Sequence, residues 1–181
     1  MFDKDRFIES CRAALSEREP QAAVYELVRG AVAEPGEVIH ALGEPTRGGL
    51  NFVYRAPDLT ILNVCWGPGL TFKPHDHRLW AVIGIYTGRE ENFFYQKNSQ
   101  GLTRHGVKVL DTRDTLRLGA NAIHSVTNPL DQITGAIHVY GGDLFGVVRS
   151  EWDPQTFEEK RYDNEGALKI FAESTEPSRA T

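Results

Sequence analysis

Hydrophobic positions along this chain follow one period at the start and another from Leu50 onward. Over residues 3–33 they recur at helical spacing. Phe7, Ile8, Cys11 and Leu15 follow Asp3, a candidate N-cap, and Ala23, Val24, Leu27, Val28 and Val32 share one face of a second segment that Pro20 opens. This predicts two amphipathic helices, a short third over Glu37–Leu42 and a turn-rich loop at 43–49. From Leu50 the pattern changes to short β-prone runs at 50–54, 59–66, 71–77, 80–87, 91–97, 106–111, 115–118, 122–126, 133–140, 144–149 and 157–161, with Gly, Pro, Asn and Asp between them. No long helix interrupts the runs, which predicts a mostly β sandwich or barrel and argues against a βαβ architecture. A helical patch at Ala167–Ala172 precedes an end containing Ser, Thr, Glu and Pro, which reads as frayed. The organisation expected is an N-terminal helical segment at 1–49, a β-barrel at 50–163 and a tail at 164–181, together forming one domain.

Composition narrows the partners. Charged residues make up 25% of the 181 and the net charge is −5, with no basic run, so nothing electrostatic favours nucleic acid or an anionic membrane. Charges within Met1-Phe2-Asp3-Lys4-Asp5-Arg6 fall where a signal peptide needs an apolar core, and no stretch reaches the roughly 18–20 apolar residues of a membrane span. Cys11 and Cys65 alone imply no disulfide framework and read as buried small hydrophobes. A cytoplasmic protein is expected, a monomer or small homo-oligomer with small-molecule partners.

The chemistry concentrates in histidine. His75 and His77, one residue apart in a predicted strand, share a strand face and can converge on one metal ion, while Asp76 points the other way. Of the six histidines, His40 and His105 read as bland. Gly69 precedes the pair, Gly88 closes the next strand, and His124 and Asn128 lie in a second block that begins at Gly119.

These blocks resemble the paired motifs of the cupin superfamily. Gly69, His75, His77 and Gly88 fit Gly-x-x-x-x-x-His-x-His-x-x-x-Glu-x-x-x-x-x-x-Gly, and His124 and Asn128 fit Pro-x-Gly-x-x-His-x-x-x-Asn, with Gly119 and Asn121 at its Pro and Gly positions. The resemblance implies a cupin double-stranded β-helix, a jelly-roll barrel with the N-terminal helices packed outside. It also implies metal ligation by His75, His77 and His124. The cupin glutamate position holds Ala81. Losing that carboxylate leaves a neutral three-nitrogen set, suited to ferrous iron, zinc, copper or nickel, with one negative charge fewer to oppose an anionic thiolate.

A cupin with three histidines and no glutamate resembles the thiol dioxygenases, meaning the cysteine dioxygenases and their bacterial 3-mercaptopropionate dioxygenase relatives. The likeness runs from about Leu50 to Asp163 and includes Cys65-Trp66-Gly67-Pro68-Gly69, Trp80-Ala81-Val82-Ile83-Gly84 and Ile137-His138-Val139-Tyr140. It implies Fe(2+) as cofactor, a small thiol and dioxygen as substrates and a sulfinic acid as product. His138 and Tyr140 match the last two members of the family's Ser-x-His-x-Tyr outer-sphere chain, with the catalytic roles that implies, and Ala136 stands at the serine. Ala81 also removes the cysteine that crosslinks to this tyrosine in animal enzymes. The family's carboxylate-gripping arginine falls near Leu50, which leaves Arg47 or Arg55 to replace it and makes L-cysteine a poor substrate. Trp80 and Phe72 are expected on the apolar wall. Blander readings stay open: His138 as a core histidine or substitute ligand, Tyr140 as an ordinary half-buried aromatic, and Arg47 and Arg55 as solvated charges. Two functional alternatives also remain, a metal-binding cupin acting on a non-thiol molecule and a non-catalytic small-ligand-binding cupin.

Overall fold

A computed structural model describes residues 1–99 and 101–175. Helices α1 (Lys4–Ala14), α2 (Pro20–Val32) and α3 (Pro35–Leu42) come first. Asp3 does cap α1, accepting a hydrogen bond from the Arg6 backbone N–H at 2.7 Å. Their buried positions, among them Phe7, Cys11, Val24, Val28 and Val32, form one apolar cluster with Ile61, Val82, Tyr86 and Val139 of the sheet beneath.

Eleven strands follow: β1 (Gly49–Ala56), β2 (Leu59–Trp66), β3 (Thr71–Asp76), β4 (Ala81–Thr87), β5 (Arg89–Asn98), β6 (Gly101–Asp111), β7 (Thr115–Leu118), β8 (Ile123–Thr127), β9 (Thr134–Tyr140), β10 (Ser150–Trp152) and β11 (Glu159–Arg161). They build two antiparallel sheets, ordered β1-β2-β9-β4-β7 and β11-β10-β3-β8-β5-β6. The pairings nest: β5 with β6, β4 with β7, β3 with β8 and β2 with β9. A long antiparallel ribbon wound on itself produces that nesting. It is the double-stranded β-helix, and it leaves two inner faces opposed across one core. β2 and β9 are buried along their whole length, because one face meets the helices and the other the barrel interior.

Two segments depart from the sequence reading. The run at 144–149 is not a strand. Asp143 Oδ1 accepts from the Phe145 N–H at 3.1 Å and the Asp143 carbonyl accepts from Gly146 and Val147, so local turn chemistry overrides the apolar run and β10 begins only at Ser150. The helical patch near the end is a longer helix, α4 (Asn164–Glu173), because Asp163 caps it by accepting from the Gly166 N–H. Its Phe171 packs on Trp66 and Phe72, which closes one end of the barrel. The part of the expected frayed end at 176–181 lies outside the described residues.

The helical layer comes close to the sheet at Gly84. A Cβ there would come within 2.5 Å of Val28 Cγ1 and 2.9 Å of Val32 Cγ1, both short branched side chains with little room to yield. Gly84→Ala is expected to cost about 1–3 kcal/mol by overpacking. A drop in thermal melting temperature would register it, while a neutral Gly84→Ala would mean that α2 does not bear on β4 as described.

Candidate metal centre

His75 lies on β3 and His124 directly opposite it on β8. Between Phe72 and His75, β3 spends one residue more than β8, a bulge that includes Pro74, which has no N–H to give to a ladder. His77 follows the end of β3. There Arg78, at a φ of 55°, turns the chain away, and its guanidinium pairs with Asp76 Oδ2 at 2.7 Å. Asp76 is thereby directed away from the cluster, as its position in the His-x-His step predicts.

The three imidazoles are buried with their nitrogens together. His77 Nε2 is 3.2 Å from His75 Nε2 and 3.4 Å from His124 Nε2. Outward hydrogen bonds set two of the tautomers: His75 Nδ1 donates to the Lys73 carbonyl and His124 Nδ1 to Asn92 Oδ1, each at 2.9 Å. Both Nε2 lone pairs therefore face inward. His77 Nδ1 is buried without a partner. A proton between these nitrogens is disfavoured. Burial, then the charge of Arg149, brings His75 down to about 3. Burial and the neighbouring histidines hold His77 and His124 well below their ordinary 6.5. Neutral nitrogens that repel one another and resist protonation are a fitting donor set for a metal cation.

The cluster opens into a small cavity of about 40 Å³ between the sheets, under α4. Leu62, Val64, Trp66, Phe72, Val126 and Phe171 make its apolar wall, and His138, Tyr140, Arg149 and Tyr162 are also on its lining. Tyr140 comes from β9, facing Ala81 across the β4 ladder, and its ring centroid is 5.0 Å from that of His77. Tyr140 Oη is 3.0 Å from His138 Nδ1, and burial pushes the phenol pKa upward. His138 Nε2 is 3.3 Å from Glu90 Oε1 of β5, a fully buried carboxylate.

Three of the residues expected at the substrate lie elsewhere. Arg55 donates from Nε and Nη2 to the two carboxylate oxygens of Asp143 at 2.8 and 3.0 Å. Arg47 is exposed in the loop before β1, and neither arginine lines the cavity. Trp80 packs against Gly141 in an outer groove and belongs to the cluster under the helices. Phe72 does line the cavity. The arginine that reaches it is Arg149, 5% exposed, which lies over the Tyr162 ring at 3.3 Å. Its Nη1 and Nη2 donate to neutral acceptors, the Asp76 carbonyl and Asn164 Oδ1, and its Nε has no partner. Among the described residues no carboxylate pairs with it.

No family model matches the chain. Solved structures similar to it include oxalate decarboxylase from Bacillus subtilis, at 14% identity over 50% of this chain and 22% of that one, with a TM-score of 0.41. A protein with a double-stranded β-helix domain from Klebsiella pneumoniae matches at 16% identity over 55% and 76%, TM-score 0.44. A Bacillus halodurans protein matches at 14% over 53% and 71%, TM-score 0.47. The chain thus spans less than a quarter of the oxalate decarboxylase. The strand pairing itself carries the fold assignment: a double-stranded β-helix barrel, with a three-histidine cluster inside able to hold a metal. No helix among the described residues is long and apolar enough to cross a membrane.

Two outcomes follow. His124→Ala should abolish stoichiometric retention of iron or zinc, measured by elemental analysis, and full metal content in that variant would remove His124 from the ligand set. In the unfolded chain these histidines take protons near 6.5, while in the folded chain they resist them down to about 3 for His75. Chelator-treated protein should therefore lose stability as pH falls below about 6.5 and regain it as pH rises, because the unfolded state binds more protons in that window. Denaturant midpoints at successive pH values test this, and the dependence should weaken when zinc occupies the cluster.

Proposed function

We propose that this chain is a non-haem iron-dependent thiol dioxygenase-like enzyme, oxidising a small thiol that carries a carboxylate to its sulfinate with dioxygen. The observation that carries the reading is the shared cavity. A carboxylate-free set of three neutral imidazoles and a buried arginine with no acidic partner among the described residues face the same largely apolar cavity. His75, His77 and His124 would hold the ion. The chemistry that ferrous iron supplies when bound there is activation of dioxygen beside a thiolate sulfur.

The chain's own residues do the rest. Arg149 holds the substrate carboxylate in a dry site, where a charge-assisted hydrogen bond is strong. Phe72, Trp66 and Phe171 exclude water from the apolar stem of the substrate. Tyr140 presents a phenol oxygen that can accept a hydrogen bond from the substrate thiol, and His138 fixes the angle of the phenol. The balance closes without a reductant: RSH and O2 give RSO2H, the sulfur losing four electrons and the two oxygen atoms gaining them. No flavin or second cofactor is needed.

A second reading keeps the metal and replaces the thiol by another small carboxylate. Arg149 supports it equally, because a guanidinium recognises charge and not sulfur.

Oxygen uptake by the iron-loaded protein across a panel of thiols and non-thiol acids, with product mass, separates the two. A thiol carboxylate should be turned over to a product heavier by two oxygen atoms. Arg149→Gln should lower kcat/KM for that substrate by about 10-fold to 100-fold, mostly through KM, while changing an uncharged thiol little. Tyr140→Phe should keep its iron and lose turnover. Stoichiometric iron with no thiol consumed would overturn the thiol assignment.

A further inference from the structure

Glu90 is a fully buried acid that the chemistry above does not use. It lies on β5, where Glu90, Asn92 and Phe94 alternate onto the inner face, and Phe94 pairs with His124 across the β5–β8 ladder. Both carboxylate oxygens are engaged. Oε1 is 3.3 Å from His138 Nε2 on the opposite sheet, and Oε2 accepts from Asn92 Nδ2 at 3.4 Å. A polar chain thus runs across the core without a break: Tyr140, His138, Glu90, Asn92, His124.

An ionised carboxylate can only accept, so it dictates the direction of every link on either side of it. On one side His138 must carry its hydrogen on Nε2. Its Nδ1 is then a lone pair, and the only hydrogen for the 3.0 Å contact is that of Tyr140, so the phenol donates inward and turns an oxygen lone pair to the cavity. On the other side Asn92 must present Nδ2 to Glu90, which leaves its Oδ1 for His124 Nδ1–H and sends the His124 Nε2 lone pair to the cluster. The reversed assignments would place two hydrogens or two lone pairs face to face at each contact.

We infer that Glu90 is a positioning residue that sets the hydrogen-bond polarity of both halves of the site, fixing the His138 tautomer beneath Tyr140 and, through Asn92, the ligating tautomer of His124. Ala136, one inward step before His138 on β9, has no hydroxyl to serve that imidazole, and Glu90 reaches it from the other sheet instead. The catalytic consequence, an acceptor oxygen at Tyr140, rests on the function proposed above. The tautomers do not.

The test is a long-range proton–nitrogen NMR spectrum of the histidine rings in the full-length zinc-loaded protein, which distinguishes protonated from bare ring nitrogens. Wild type should show His138 with hydrogen on Nε2 only and His124 with hydrogen on Nδ1 and a metal-shifted Nε2. Glu90→Gln introduces a donor that one side must accommodate, so either His138 moves its hydrogen to Nδ1 or His124 loses its Nδ1–H together with zinc affinity. Asn92→Ala should leave His138 unchanged and weaken zinc binding by roughly 10-fold to 100-fold, as loss of a hydrogen bond behind a ligand does. A wild-type His138 protonated on Nδ1, or on both nitrogens, overturns the inference even if the Glu90 variant does not fold. A folded Glu90→Gln with both rings unchanged overturns it too. A chain that turns over no thiol but shows these tautomers would separate the two proposals, sinking the reaction and leaving Glu90 its role.

Discussion

The barrel interior answers to one constraint: three imidazole lone pairs aimed at a common point must be held there out of water. Uncompensated, that arrangement costs free energy three times over, through lost hydration, mutual repulsion and ordered side chains. The fold meets the cost from behind the rings. The Lys73 carbonyl holds His75 and the Asn92 amide holds His124, so each buried Nδ1–H is satisfied and each Nε2 is left free. The bulge at Pro74, the left-handed turn at Arg78 and the direct pairing of β3 with β8 serve the same end, since each aims a ring. His77 is the exception. Its Nδ1 has no tether among the described residues, and of the three it would depend most on a bound cation to order it.

A second consequence of the nested ribbon is that the two sheets bring different chemistry to the cavity. β3 and β8 carry ligand-type nitrogens, while β9 carries His138 and Tyr140. Polar groups on facing sheets would ordinarily be separated by an apolar core. Here Glu90 reaches across, and the two sets become one hydrogen-bonded unit. Such networks are worthwhile only when every member is satisfied, and this one is satisfied from the phenol to the His124 imidazole.

How far the sequence revealed this follows from contact range. The His75-x-His77 step, the alternation in β9 and the capping of α1 by Asp3 are local, and each was legible from spacing. The nested pairing was legible only as a family likeness, because strand order is written in no single window. The run at 144–149 misled because its apolar residues alternate like a strand, while one side chain, Asp143, diverts the backbone into a turn. An arginine to pair with a carboxylate was expected near β1, where Arg55 instead spends its charge on Asp143. Arg149 and Glu90 escaped notice for one reason: their surroundings are made by elements far off in sequence, β3 and α4 around Arg149 and β9 against Glu90. A clue was present in β5, since Glu90 and Asn92 share the inward face of a strand, and polar residues at inward positions are expensive unless they have work to do.

Charge balance carries the substrate argument one step further. Among the described residues, Arg149 is the one formally charged side chain on the cavity lining. A divalent ion at the cluster would add two positive charges to a space with little water, and an imbalance of that size is costly in a low-dielectric interior. Under the proposed function, a small thiol bound as thiolate and carboxylate would set two negative charges against that excess, one beside the histidines and one at Arg149. An amino acid thiol also brings an ammonium, and no carboxylate lines the cavity to receive it. The same count disfavours an uncharged thiol, which would leave Arg149 buried without a counter-ion. If the proposed function holds, charge alone matches the interior better to a mercapto acid lacking an amino group than to cysteine, independently of which arginine a family pattern would have supplied.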